Sequence, residues 1–563
     1  MTELLVLIVS ALVLIAAAAV VGPRIGIAAP LVLVAIGVGA SFLPWFASVH
    51  IEPAWVLEGL LPPLLYASAV SMPAMNFRRE FGAISGLSVL LVVGSALVLG
   101  LFFMLVLPGL GFAWGVALGA IVSPTDAVAT SIIKRTSVSK RVVAMLDGES
   151  LLNDATALVL LRTAIVATAA SFSFWGAVGT FAYSVVVALL IGWLVGWLDL
   201  VVRKRVTDPT VNTVISFAVP FAAAVPAESL GASGLVAAVV AGLITGVFAP
   251  RDLSPQHRLS DSQNWRTVEL VLEGIVFLTM GLQITSIVGA VHHDHAGVGI
   301  AVLVAVGAFV LTVMVRAAYV APLLRVLRAR AGRGVRLEDR LQGVQAKLDT
   351  PEGQRQAFVE VNARQRGPGS GGRPRSARDL ERFARRVTQV LADIAYFRRE
   401  PLGWREGTAV VWAGMRGAVT VAAAQSLPHD TPQRSALVLI AFAVAALSLL
   451  VQGGTIGPLL RRITPPRDTA ALEQQTDAER TRLFELMRSS GESVPEPPQL
   501  GGDPTQEQFG IAKEHRLAVI AAQRSALLDA RDNGTFDADV LEDALANLDA
   551  TQIAIELRGT AAT

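Results

Sequence analysis

The sequence lacks cysteine, and it has few charged residues. With no cysteine among 563 residues, disulfide bonds, zinc–thiolate sites and cysteine nucleophiles are excluded. The formal net charge is only +2, and no basic block is interleaved with aromatic residues, so nucleic acid is not an expected partner. Charged residues make up 16% of the chain and hydrophobic residues 53%, which is too apolar for an ordinary soluble protein. A membrane is therefore the expected environment.

Long, nearly uncharged stretches recur from Leu4 to Leu460. Each approaches the roughly 20 residues that cross about 30 Å of hydrocarbon as a helix. The first stretch has Glu3 rather than a basic segment before it, so we expect it to be retained as a span and not removed as a signal peptide. The stretches predict an all-α, polytopic protein with about thirteen transmembrane spans: 4–21, 25–46, 54–73, 81–107, 112–133, 142–169, 174–202, 210–226, 230–249, 267–290, 297–325, 406–427 and 435–460.

The distribution of basic residues gives the orientation of these spans. Short cytoplasmic loops are rich in Lys and Arg, and one set of alternate loops holds nearly all the basic residues. The opposite set holds only Arg434. This asymmetry predicts an external N-terminus and a cytoplasmic C-terminus. The basic residues on the predicted cytoplasmic side are Arg24, Arg78, Arg79, Lys134, Arg135, Lys140, Arg141, Arg203, Lys204, Arg205, Arg251, Arg258 and Arg266.

Two hydrophilic segments fall on the predicted cytoplasmic side, an insertion at 327–405 and a tail at 464–563. The insertion contains a candidate amphipathic helix and the Gly/Pro-rich run from Arg366 to Ser376. The tail has helical patterning from Gln506 to Leu557. We interpret both segments as regulatory or packing elements; the alternative is a solvated helical appendage.

Span 5 contains the run Ser123-Pro124-Thr125-Asp126. Proline removes an amide donor and clashes with the preceding turn, so the helix is predicted to break here and to leave backbone groups unpaired at mid-depth. Broken helices are a common device for holding a cation at the membrane midplane. The alternative is a simple proline kink with Asp126 as a capping residue.

The start of span 6 carries a second polar cluster, from Asp147 to Asp154. Helical spacing places Glu149 over Asn153, with Asp154 on the flank of the same face. A rise of 1.5 Å per residue puts Asp154 about 18 Å from one end of its span and Asp126 about 21 Å from the outer end of span 5. The two carboxylates are therefore predicted to share a depth, where ionisable groups usually mark an ion or proton path.

Span 12 carries Arg416 between Gly414 and Gly417. The glycines allow an unwound or closely approached backbone, and the guanidinium can offset the carboxylates and cap freed carbonyls. A purely structural counter-ion is the alternative. Spans 5 and 12 are seven apart and so run in opposite directions, which predicts inverted repeats with two discontinuous crossing helices.

Further ionisable residues lie within predicted spans. Glu269 and Glu273, one turn apart in span 10, either line a cytoplasmic approach or pair with basic groups. Arg162 in span 6 and Arg316 in span 11, near opposite faces, are interpreted as snorkelling or structural charges.

The ordered motifs resemble the cation:proton antiporter-1 family, the NhaP-like and NHE-like sodium/proton exchangers. The resemblance covers residues 1 to about 462. The motifs that carry it are S-P-T-D-A-V-A (123–129), D-G-E-S-L-L-N-D (147–154), G-A-S-G-L-V-A (231–237), G-M-R-G-A-V (414–419) and L-L-V-Q-G (449–453).

The resemblance implies a homodimer in a plasma membrane with a transmembrane antiporter domain at 1–462. The implied dimerisation part covers 1–75 and 208–290, and the implied moving core covers 81–170, 297–326 and 405–460. Asp154 is then the essential carboxylate that takes cation or proton, with Asp126, Thr125, Ser150 and Glu149 completing the cation site. Asn153 stands where electrogenic relatives carry a second aspartate, which implies electroneutral exchange.

The chemistry of these residues suits exchange without a cofactor. Sodium and lithium prefer oxygen ligands of the kind that carboxylates, hydroxyls and carbonyls supply. If a bound cation and a bound proton exclude each other at Asp154, and the core crosses only when Asp154 is neutralised, coupling follows. The rival interpretations are a K⁺/H⁺ exchanger of the same fold, a membrane sensor and an intramembrane aspartyl protease. The sequence does not select among Na⁺, Li⁺ and K⁺.

Overall fold

The computed structural model describes residues 2–43, 52–169, 174–294, 297–347, 352–358, 377–464, 469–497 and 506–558. Within these ranges the regular structure is helical, without strands. The chain divides into two compact units. Unit 1 is Met1–Leu323 with Gly403–Pro465, and unit 2 is Leu324–Leu402 with Pro466–Thr563.

The helices of the first two thirds of the chain follow the predicted spans. They are α1 (Thr2–Ile25), α2 (Ala29–Ser41), α3 (Leu61–Ser71), α4 (Ala74–Ser85), α5 (Val92–Val106), α6 (Phe112–Val122), α7 (Val128–Ile133), α8 (Lys140–Ala169), α9 (Phe174–Arg203), α10 (Pro209–Ser229), α11 (Gly234–Asp252), α12 (Pro255–Leu282), α13 (Ile284–His293) and α14 (Val298–Gln345). A π-helical turn, Trp55–Leu60, precedes α3, and another, Gly86–Leu91, joins α4 to α5.

The remaining helices complete both units. They are α15 (Ala377–Arg399), α16 (Trp404–Trp412), α17 (Ala418–Gln425), α18 (Arg434–Ser448), α19 (Gly454–Ile463), α20 (Thr469–Glu492), α21 (Gln506–Asn533) and α22 (Ala538–Leu557). A π-helical turn at Leu449–Gly453 joins α18 to α19.

Nine helices within the described ranges are long and apolar enough to cross a membrane. Predicted spans 2, 3, 5 and 12 are not among them, because their helices are shorter or interrupted. Spans 5 and 12 are each broken as predicted, into α6 and α7 and into α16 and α17. Span 10 is longer than predicted: Ser254 caps α12 by accepting from the His257 amide, and α13 continues the span to His293.

Glycines bring the helices around the first break close together. A Cβ at Gly119 in α6 would overlap the Ala96 carbonyl oxygen of α5, and a Cβ at Gly148 in α8 would overlap the Ile84 side chain of α4. Such small residues let helix backbones approach in a membrane. The buried Arg141 Nε also donates to Glu80 Oε1 at 2.6 Å, so α8 is held to α4 by packing and by charge.

Unit 2 has its own apolar core, formed by α20, α21 and α22. Leu483, Leu527 and Leu541 are buried at its centre. Arg524 pairs with Asp549 at 2.7 Å. The helix predicted in the tail is confirmed as two helices, α21 and α22, whereas the run from Arg366 to Ser376 lies outside the described residues.

Candidate functional site

The breaks in spans 5 and 12 meet each other directly. The Asp126 amide, just past the end of α6, donates to the Met415 carbonyl oxygen between α16 and α17 at 2.7 Å. Pro124 has no amide to continue α6, so the following backbone groups need partners from elsewhere. The two interrupted helices thus supply each other's missing hydrogen bond.

Arg416 satisfies carbonyls that the breaks release. Its Nε donates to the Val122 carbonyl at the end of α6 at 3.0 Å, and its Nη1 donates to the Gly414 carbonyl. Its own amide donates to Ser448 Oγ at 2.8 Å. The side chain is only 2% exposed, and among the described residues no carboxylate lies within ion-pair distance of it. The structure therefore places Arg416 as a carbonyl cap.

The ion pair at the crossing is made by Arg316 and Glu149 instead. Arg316 Nη1 and Nη2 donate to Glu149 Oε1 and Oε2 at 2.5 and 2.8 Å, and Arg316 Nε donates to the Val410 carbonyl at 2.8 Å. Gly414 makes room, because a Cβ there would lie 2.7 Å from Arg316 Cδ. Sequence reasoning missed this partnership; of the two interpretations of Arg316, the buried ion pair favours a structural charge over snorkelling. The signal was its depth: nine residues, about 14 Å, separate it from the end of its predicted span.

A hydrogen-bond chain continues from this ion pair to the first break. Thr125 Oγ1 donates to Glu149 Oε1 at 3.0 Å, and Asn153 Nδ2 donates to both Thr125 Oγ1 and the Thr125 carbonyl at 2.8 Å. Asn153 Oδ1 is buried and has no hydrogen-bond partner in the described part of the chain. Glu149 and Asn153 therefore hold Thr125 in place, and Arg316 in turn holds Glu149.

The two aspartates differ from these paired groups. Asp126 Oδ1 accepts from the Val128 amide at 3.0 Å, and a Cβ at Gly417 would overlap the Asp126 carboxylate. Asp154 is half-buried, and within the described ranges no hydrogen bond or ion pair engages its carboxylate. Asn153 and Thr125, which precede Asp154 and Asp126 in the sequence, are hydrogen-bonded to each other, so both aspartates lie at the same crossing. Ser150 is also half-buried, and its Oγ donates to the Asp147 carbonyl of its own helix at 3.1 Å.

A cavity of about 1060 Å³ opens near one end of the same helices. We call it the Gln425 cavity, and its lining includes Leu158, Arg162, Glu228, Gln283, Gln425 and Arg434. Leu158 follows Asp154 on α8 by one helical turn, about 6 Å. Asp126 and Asp154 do not line the cavity, so the cavity ends short of the two aspartates.

Comparison with known proteins identifies this arrangement. The family model described as "Sodium/hydrogen exchanger, transmembrane" matches residues 8–344 and 383–462. The chain belongs to this sodium/hydrogen exchanger family. It is therefore a multi-pass membrane transporter of the cation/proton antiporter type and not an enzyme, as the motifs predicted.

Several relatives of the exchanger show how far the similarity extends. An uncharacterised Na⁺/H⁺ exchanger of Mycobacterium tuberculosis is 25% identical over 98% of this chain and 96% of its own length. The Na⁺/H⁺ exchanger YjcE of Escherichia coli is 33% identical over 46% of this chain and 49% of its own length. A sodium, potassium, lithium and rubidium/H⁺ antiporter of Bacillus subtilis is 29% identical over 47% of this chain and 41% of its own length.

The fold of the exchanger is also similar to a solved structure. The sodium proton antiporter MjNhaP1 from Methanocaldococcus jannaschii superposes with a TM-score of 0.54 at 15% identity, covering 82% of this chain and 99% of that one. At this identity the comparison concerns the fold alone.

The close contact between Gly417 and Asp126 generates a prediction. Gly417→Ala should cut exchange at least tenfold, because the added Cβ forces the Asp126 carboxylate out of its position. Proton flux in vesicles driven by a cation gradient measures this loss. The matched control is Gly454→Ala, where a Cβ would meet no atom within 4 Å. Equal activity of the two variants would show that the placement of Asp126 does not matter.

Proposed function

We propose that this exchanger moves Na⁺ against H⁺ by alternating access, with Asp154 as the carboxylate that holds either ion. The observation that carries the proposal is the contrast in pairing at the crossing. Glu149 and Arg316 neutralise each other and Arg416 is bound to carbonyls, whereas Asp154 has no partner among the described residues. An unpaired ionisable group at membrane depth is costly and is usually functional.

We assign the cation ligands from the oxygens at the crossing that are not paired with a guanidinium group. We assign Asp154 and Asp126 as the charged ligands and Thr125 and Ser150 as neutral oxygen donors, a set suited to a hard cation. Glu149 was predicted to complete the site. Because both of its oxygens accept from Arg316 and one also accepts from Thr125, we assign it to positioning Thr125.

Asn153 supports electroneutral exchange. Its amide nitrogen donates to the Thr125 carbonyl, a contact that an aspartate at this position would replace by repulsion between oxygens. Only one carboxylate of the 153–154 pair is then available to bind a proton, so one proton is exchanged for one cation. The Bacillus subtilis relative is named for four alkali cations, and a K⁺/H⁺ exchanger of the same fold is the second candidate.

The remaining expectations belong to the same proposal. The chain acts as a homodimer through 1–75 and 208–290, in a plasma membrane, with an external N-terminus and a cytoplasmic C-terminus. Its core, which covers 81–170, 297–326 and 405–460, moves relative to the dimerisation part. The exchange activity contributes to pH homeostasis. The segments 327–405 and 464–563 extend into the cytoplasm.

Removing the charge of Asp154 tests the function. Asp154→Asn should reduce cation-driven proton flux in vesicles to background, because an amide cannot alternate between proton and cation, and should leave membrane insertion intact. Asp430→Asn, at an exposed position between α17 and α18, is the matched control and should exchange normally. Substantial sodium-driven proton flux by Asp154→Asn would overturn the assignment.

The surroundings of Glu269 and Glu273 bear on their two interpretations. Ser68 Oγ donates to Glu269 Oε1 at 2.9 Å, and in the described part of the chain neither carboxylate lies within ion-pair distance of a basic group. The described residues therefore offer no direct ion pair in support of the pairing interpretation. We propose that both line the cytoplasmic approach, where their charge attracts cations.

A cytoplasmic approach lined by Glu273 predicts that its substitution changes the apparent cation constant on one side of the membrane only. Glu273→Gln should raise the apparent cation constant severalfold when the cation is supplied from the cytoplasmic side and leave the external constant nearly unchanged. Inside-out and right-side-out vesicles measure the two constants separately. An equal change on both sides would argue against a cytoplasmic approach.

A further inference from the structure

The helix α17 connects the ion site to the Gln425 cavity. It has eight residues, Ala418–Gln425, and spans about 12 Å. Gly417, immediately before it, contacts Asp126, and Gln425 at its end lines the cavity. A rigid shift of α17 therefore changes the ion site and the cavity together.

The Gln425 side chain forms a hydrogen bond to a different helix. Its Nε2 donates to Gln283 Oε1 at 3.0 Å. Gln283 is 8% exposed and lies between α12 and α13, in the region proposed for dimerisation, whereas α17 lies in the proposed moving core. The amide orientations of the two side chains are coupled, since reversing both preserves one hydrogen bond.

The backbone of Gln425 is fixed on the core side. Arg434 Nη2 donates to the Gln425 carbonyl at 2.6 Å, and Arg434 Nε donates to the Leu427 carbonyl at 2.9 Å. Arg434 begins α18, so the end of α17 is tied to a neighbouring core helix. When the core moves relative to the dimerisation part, the hydrogen bond between the two glutamine side chains is one of the contacts that must break.

A second contact crosses the cavity, between Arg162 Nη1 and Glu228 Oε2 at 2.6 Å. Its side chains are 54% and 33% exposed, and exposed ion pairs contribute little because water screens them. The glutamine contact is less exposed. Both glutamines line the cavity, and α17 runs from Gln425 to Gly417, which contacts Asp126. The glutamine contact is therefore the stronger candidate for a barrier between the cavity and the aspartates.

We propose that Gln283 and Gln425 close the ion path between the Gln425 cavity and the aspartates. This proposal rests on the proposed alternating access. While the hydrogen bond is intact, the state closed toward the cavity is favoured. Loss of the hydrogen bond shifts the population toward the state open to the cavity. The ratio of the two states changes roughly fivefold, which is the effect of one typical neutral hydrogen bond.

Sided transport by Gln283→Leu, Gln425→Leu and the double variant tests the barrier. Each single variant should lower the apparent cation constant on the cavity side by up to about fivefold and raise it on the opposite side, because population moves between the two states. The double variant should change no more than either single variant, since both remove the same contact. Loss of folding alone would not move the two constants in opposite directions.

The matched control is Gln433→Leu. Gln433 Nε2 donates to the Pro108 carbonyl at 2.8 Å, a contact of the same chemistry that stays within the proposed core, so both constants should stay unchanged. The barrier proposal would be overturned if both apparent cation constants moved in the same direction in the leucine variants of Gln283 and Gln425. Additive effects in the double variant would overturn it as well. Absent proton-coupled flux in the unmodified exchanger would instead overturn the proposed function.

Cross-linking gives an independent test because the chain has no cysteine. Gln283→Cys with Gln425→Cys introduces two thiols across the barrier. Joining them with a short bifunctional methanethiosulfonate reagent should stop exchange, and reduction should restore it. Undiminished exchange in fully cross-linked protein would contradict the proposal, even if the leucine variants fold poorly.

Discussion

Backbone groups at a helix break inside a membrane must find partners within the protein, because hydrocarbon offers none. At the crossing of spans 5 and 12 these partners come from several helices. Met415 accepts from the Asp126 amide, Arg416 donates to the Val122 carbonyl, and Asn153 donates to the Thr125 carbonyl. Contacts among α6, α8 and the segment before α17 therefore stabilise the breaks, and the same contacts shape the candidate ion site.

The distribution of charge follows from the same constraint. The buried Arg316–Glu149 pair is bidentate, which offsets the desolvation of both groups. Its Glu149 in turn positions Thr125. With these charges neutralised, the half-buried carboxylates of Asp126 and Asp154 give the site its net negative charge. A cation or a proton can each neutralise that charge, which is the chemical basis of the proposed exchange.

The sequence predicted the two helix breaks of the candidate site but not its cross-helix pairing. Pro124 and the glycines around Arg416 identified both breaks because their effect on the backbone is local. The partnership of Arg316 with Glu149 joins residues 167 positions apart, and the contact of Gln283 with Gln425 joins residues 142 positions apart. Such contacts depend on helix packing, which the periodicity of a single span does not encode. For the same reason, charge patterning alone left the partners of Glu269 undecided.

The central claim is that one carboxylate, Asp154, binds either a proton or a cation. The most direct test is the apparent sodium constant of exchange in vesicles, measured across a series of pH values on the acidic side of the activity range. Competition at a single titrating group predicts that the constant rises by up to about tenfold for each pH unit of acidification, with an unchanged maximal rate at saturating sodium. An apparent sodium constant that stays the same across that range would contradict the account.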